Sequence, residues 1–163
     1  MNSIALPDNG IVVSLATVGP DWLDYNDHMN VAYYVMAFDL GIDAFKEAIG
    51  ITLDTIRDER RSTVALESHI SYHQEATLGD ELRIETRIVD FDGKRVHYYQ
   101  EMFRGEELLA IQETLSISFD TAARRSCEFE PEAKQHYQTM LERQAQLPRP
   151  EAIGRSIGIR RKK

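Results

Sequence analysis

A chain of 163 residues, 42% hydrophobic and 28% charged, can fill one core and has no surplus for a separate cofactor domain. Its net charge of −8 argues against nucleic acid as a partner, and no run approaches the ~18 apolar residues of a membrane span. One cysteine rules out an internal disulfide, and the start Met1–Pro7 lacks the features of a secretion signal, so a cytoplasmic location is expected.

Ile11 to Val18 is β-branched and apolar and predicts a first strand, closed by Gly19-Pro20. The polar, turn-forming stretch Asp24-Tyr25-Asn26-Asp27-His28-Met29-Asn30 runs straight into Val31–Phe38, which carries no charge. Apolar residues recur at helical spacing through Ile49, and the charges Asp39, Asp43, Lys46 and Glu47 form one narrow stripe. This predicts a helix enclosed over most of its circumference, ended by Gly50. Thr52 to Arg61 reads as a short, exposed polar helix or loop.

Four alternating segments follow. Val64, Leu66, Ile70 and Tyr72 oppose Glu67, His69, Ser71 and His73; beyond the turn Leu78-Gly79-Asp80, Leu82, Ile84, Thr86 and Ile88 oppose Arg83, Glu85 and Arg87. Asp92-Gly93 is a hairpin signal leading into Val96, Tyr98, Gln100 and Met102. After Arg104-Gly105-Glu106, Leu109, Ile111, Leu115, Ile117 and Phe119 oppose Ala110, Gln112, Thr114, Ser116 and Ser118. Pro131 opens a mostly polar terminal helix over about 130–147, and a mobile tail is expected over 148–163. The pattern is α+β: a single domain over 1–163 in which a five-stranded antiparallel sheet curls around one long central helix, with a C-terminal helix.

Before the helix, four unpaired N–H groups and a partial positive charge face Asp24, Asp27, His28 and Asn30. Such a place can hold a developing negative charge, although Asp and Asn here serve equally as helix caps. Trp22, Tyr25, Tyr33 and Tyr34 cluster around the loop as core packing or as faces for a quaternary ammonium group. Glu67 and His69 share the polar side of their strand and form a second cluster, or a surface ion pair. His69 and His73 find no third ligand, Cys127 reads as an unremarkable thiol, and no Gly-rich phosphate loop exists. No metal and no cofactor are expected.

Over residues 10–120 the chain resembles the hotdog-fold acyl-CoA thioesterases, in the 4-hydroxybenzoyl-CoA thioesterase-like branch. That family carries Asp, two residues, Gly, His, a hydrophobic residue and Asn at the entrance of the central helix, matched here by Asp24 to Asn30 with Asp27 replacing the glycine. Trp22–Asn26, Leu66–Tyr72 and Lys94–His97 look closest to the betainyl-CoA thioesterases of carnitine metabolism.

The resemblance implies an acyl-CoA substrate, with Asp24 as nucleophile or general base, the amides of Asn30 and Val31 holding the carbonyl oxygen, and Asp27 competing with Asp24. Trp22, Tyr25, His28, Tyr33, Tyr34, Glu67 and His69 become substrate-binding candidates. It implies a homodimer or dimer of dimers with the site between subunits, so that a partner strand brings Glu67 and His69 toward Asp24. A non-catalytic acyl-CoA-binding protein on the same fold is the alternative.

Overall fold

The computed structural model describes residues 6–159. The start Met1–Ala5 and the basic end Arg160–Lys163 lie outside the described residues. The chain runs β1 (Val12–Thr17), α1 (Val31–Ala48), α2 (Leu53–Glu59), β2 (Arg61–Tyr72), β3 (Glu81–Phe91), β4 (Arg95–Arg104), β5 (Glu107–Asp120), β6 (Arg125–Ser126) and α3 (Pro131–Gln144). The sheet is antiparallel in the order β1-β3-β4-β5-β2, with the two-residue β6 pairing the end of β5. Five long strands curl around α1 in the hotdog arrangement.

Local chemistry accounts for the connections. The Asp92 carboxylate accepts from the N–H groups of Lys94 and Arg95, and Gly93 takes the positive φ that closes the β3–β4 hairpin. α2 starts in a reciprocal capping box between Thr52 and Thr55.

The core divides along α1. Tyr34, Ala37 and Phe38 pack on Leu82, Ile84, Met102 and Leu109, while Ile42, Phe45 and Ile49 pack on Ile88, Val96, Tyr98 and the α3 residues Tyr137 and Met140. Each fully buried aromatic contributes about 1.5–3 kcal/mol. A hydrogen bond of 2.7 Å between the Tyr98 and Tyr137 hydroxyls fastens α3 to the sheet. Burial raises both phenols above the ordinary tyrosine range.

Three readings change. First, α1 is not enclosed within one chain. It packs chiefly on β1, β3 and β4, leaving Val31, Val35, Met36 and Leu40 exposed. Second, the faces of β5 are exchanged: Gln112, Thr114, Ser116 and Ser118 are buried on the inner side of the sheet, while Ile111, Leu115 and Ile117 lie on the outer side. Third, β2 bulges between Ala65 and Glu67, so Val64 sits opposite Ile117 on the outer face and Ile70 opposite Gln112 on the inner one.

Residues 148–155, expected to be mobile, return across the outer face of the sheet. There Arg87 Nη1 donates to the Pro148 carbonyl at 3.3 Å and the Gly154 N–H to Glu113 Oε1 at 2.8 Å. No helix among the described residues is long and apolar enough to cross a membrane.

Candidate active site

The loop before α1 is a small closed device. A 3₁₀ turn, Pro20–Trp22, leads to Leu23, which bridges to Met29, while His28 bridges to Thr77. The Asp24 N–H donates to the His28 carbonyl at 2.8 Å and the Asp27 N–H to the Asp24 carbonyl at 3.2 Å. Asp27 takes φ 62°, the left-handed position that the sequence pattern reserves for glycine. Asp tolerates it better than most residues.

This loop holds the Asp24 carboxylate by one oxygen. Oδ1 accepts from the N–H groups of Asn26 at 2.8 Å and His28 at 3.4 Å. Oδ2 has no hydrogen-bond partner among the described residues, and Asp24 is half-buried. One oxygen orients the group and the other stays available to a water or an electrophile.

The two amides expected as an anion site part company. The Asn30 N–H is spent on the Trp22 carbonyl at 2.8 Å, and the Asn30 side chain caps α1 by accepting from the Ala32 N–H at 2.9 Å. The Val31 N–H has no acceptor among the described residues. It is therefore the free donor at the positive end of an 18-residue helix.

The aromatic candidates have different fates. Trp22 and Tyr33 stack face to face, 5.4 Å between centroids and 10° from parallel. Tyr25 is 94% exposed at the loop tip. Tyr34 is not an open face: it is buried, packs edge-on against Tyr72, accepts from the Ala76 N–H at 3.0 Å and donates to the Gln74 carbonyl at 3.5 Å. That phenol pins the segment after β2 to α1, and burial raises its pKa.

His28 does not orient Asp24 with its ring. Its Nε2 faces Glu75 at 3.3 Å, and only its backbone N–H reaches the carboxylate. Glu75 carries no periodic or motif signal in the sequence, which is why it was missed.

Glu67 and His69 are not brought to Asp24 within the chain. They pair with Leu115 and Glu113, which places them on the outer face, opposite α1. A cavity of about 850 Å³ also lies on that face, between Arg87, Tyr99, Ile111 and residues 147–152. Inside the sheet a hydrogen-bonded ladder of Thr86, Gln100, Gln112, Thr114 and Ser68 crosses four strands. The alternation had assigned Gln112 and Thr114 to solvent.

Comparison with known proteins follows this geometry. The model of the family described as the thioesterase-like superfamily matches residues 18–137. A betainyl-CoA thioesterase of Pseudomonas aeruginosa is 29% identical over 142 residues, covering 86% of this chain and 89% of that protein. An L-carnitine dehydrogenase/betainyl-CoA thioesterase of Ruegeria pomeroyi is 34% identical over 147 residues, 90% of this chain but 30% of that protein. The chain thus spans under a third of that longer relative.

A Staphylococcus aureus protein solved in complex with CoA shares the fold, with a TM-score of 0.87 and 24% identity over 98% of this chain and all of that one. A Pseudomonas putida structure gives a TM-score of 0.79 at 30% identity, over 96% of this chain and 100% of that one. The chain therefore belongs to the thioesterase-like superfamily.

Proposed function

We propose that the protein hydrolyses an acyl-CoA to a free carboxylic acid and CoA. The supporting observation is the pairing of a carboxylate held by one oxygen, Asp24, with an unengaged N–H at Val31 on the start of α1. Both belong to one short loop-to-helix junction. The Val31 N–H donates a hydrogen bond to the thioester oxygen as negative charge grows on it, and Asp24 Oδ2 attacks the carbonyl or takes a proton from an attacking water. The thiolate, with a pKa near ~8.5, leaves without strong acid assistance.

The relatives named betainyl-CoA thioesterase support a small acyl group of that kind as the first substrate to try. The stacked Trp22–Tyr33 pair beside the loop is the aromatic surface this reading assigns to such a head group.

The working form in this reading is a homodimer, or a dimer of dimers, in the cytoplasm. Apolar Val31, Val35, Met36 and Leu40 on α1 and Leu66 on the unpaired edge of β2 support it, because a second copy covers both. It also supplies the missing wall of the Asp24 site.

A binding-only protein is favoured by one observation: both Asp24 Oδ1 hydrogen bonds are those of a plain turn-forming aspartate. Free-thiol release from a panel of acyl-CoAs that includes betainyl-CoA separates the two. Turnover of any member supports hydrolysis, and tight binding throughout without thiol release supports the rival.

A further inference from the structure

Residues 74–77, between β2 and β3, belong to neither strand and yet meet three parts of the fold. Toward the sheet, the His73 and Gln74 N–H groups donate to the Leu109 carbonyl at 2.8 and 3.2 Å, Arg104 Nη1 donates to the Glu75 carbonyl at 3.4 Å, and the Thr77 N–H donates to Asp80 Oδ2 at 2.8 Å. Toward the Asp24 loop, the Ala76 carbonyl accepts from the Met29 N–H at 2.8 Å and Thr77 bridges to His28. Toward α1, the bonds among the described residues are those of one group, the Tyr34 hydroxyl, which accepts from the Ala76 N–H at 3.0 Å and donates to the Gln74 carbonyl at 3.5 Å.

The peptide groups of Ala76 are therefore shared between the two halves of the site. The carbonyl holds the loop that orients Asp24, and the N–H holds the helix that carries the Val31 N–H. Tyr34 stands three residues after Val31, in the first turn of α1. Apart from the junction at Asn30, no other hydrogen bond among the described residues connects residues 24–29 with α1, directly or through an intervening segment of such length.

We propose that Tyr34 is a positioning residue for thioester hydrolysis, its hydroxyl setting, through Ala76, where the Val31 N–H stands relative to the Asp24 carboxylate. The proposal rests on the thioesterase reading for what those two groups do. It adds the group that fixes their separation.

Removing the hydroxyl releases one side of the clamp. In Tyr34→Phe the ring keeps its edge-on packing against Tyr72, and residues 74–77 stay fastened to the sheet and to the loop. The fully buried Ala76 loses the acceptor for its N–H, so the start of α1 shifts against the loop. Reacting groups tolerate little error of this kind: a misplacement of about 1 Å can cost roughly a hundredfold in rate.

The test compares the wild type and Tyr34→Phe on the acyl-CoA the wild type cleaves fastest, and repeats the comparison in an Asp24→Asn background. In the first pair kcat is expected to fall at least about tenfold with KM within about twofold. In the second pair the residual rate changes by less than about threefold, because misalignment of a carboxylate matters only where the carboxylate is present. An unchanged kcat in Tyr34→Phe, or the same fold loss in both backgrounds, as a smaller folded fraction would give, overturns the proposal. A wild type that cleaves no acyl-CoA strikes the thioesterase reading instead, and native-state hydrogen exchange then decides the clamp. Faster exchange of the Val35 and Met36 N–H groups in Tyr34→Phe keeps it, and unchanged exchange overturns it.

Discussion

A Cβ placed on Gly41 would stand 2.7 Å from Gln100 Nε2, with Ile84 Cγ2 and Thr86 Oγ1 each at 3.0 Å. A glycine in the middle of α1 is thus the space into which the buried ladder rises to reach the Phe38 carbonyl.

Gly41→Ala sets two effects against each other. Helix propensity favours alanine by about 1 kcal/mol, and overpacking a filled core costs about 1–3 kcal/mol. Gln100 cannot swing aside without losing both of its donor bonds, so a net loss of about 1 kcal/mol is expected in urea unfolding. In a Gln100→Ala background the loss shrinks or reverses. A higher urea midpoint for Gly41→Ala alone would contradict the packing argument.

Asp27 makes the opposite case, a side chain where glycine is at ease. With φ at 62°, Asp27→Gly is expected to leave stability within about 0.5 kcal/mol, while the β-branched Asp27→Val costs about 1–2 kcal/mol. Thermal unfolding of the two variants side by side reads this.

The loop is tied to the sheet through acid-sensitive bonds. Asp80 Oδ2 accepts from the Thr77 N–H at 2.8 Å and from Arg104 at 2.6 Å, and Thr77 bridges to His28. Burial works to raise the Asp80 pKa, but these donors outweigh it and hold the carboxyl below its ordinary range. A depressed carboxylate stabilises the fold above its unfolded value of about 3.9 and loses that contribution as pH falls further. Between pH 5 and pH 3 the wild type should therefore lose stability faster than Asp80→Asn. Parallel curves would remove Asp80 from the loop's support.

Assembly is the next expectation. Light scattering at micromolar concentration should give twice or four times the chain mass, and Val35→Glu, on the exposed stripe of α1, should shift it toward one. A wild-type monomer would rule out a site shared between copies.

The long features were legible because they repeat. The charge-free run Val31–Phe38 announced α1, and Asp92-Gly93 announced the β3–β4 hairpin. Alternation in β5 revealed two faces but not which one is buried. Gln112, Thr114 and Ser118 look solvated in sequence because their partners, Gln100 and Ser68 and Cys127, lie on other strands or beyond β5. A bulge such as that at Ala65 leaves no mark in composition, so the two halves of β2 were put on one face. At the site, the Asp24-to-Asn30 spacing located the loop. Which amide remained free depended on the Trp22 carbonyl meeting the Asn30 N–H, a contact set by the turn at Pro20.

The central claim is that Asp24, and not Asp27, carries the chemistry. Single-turnover thiol release should be measured for wild type, Asp24→Asn and Asp27→Asn on the acyl-CoA the wild type cleaves fastest. Asp24→Asn keeps the Oδ1 acceptor for the loop and is expected to lose at least about a hundredfold in rate, the scale of a positioned general base, while Asp27→Asn stays within about threefold. Full activity in Asp24→Asn with loss in Asp27→Asn would contradict the account.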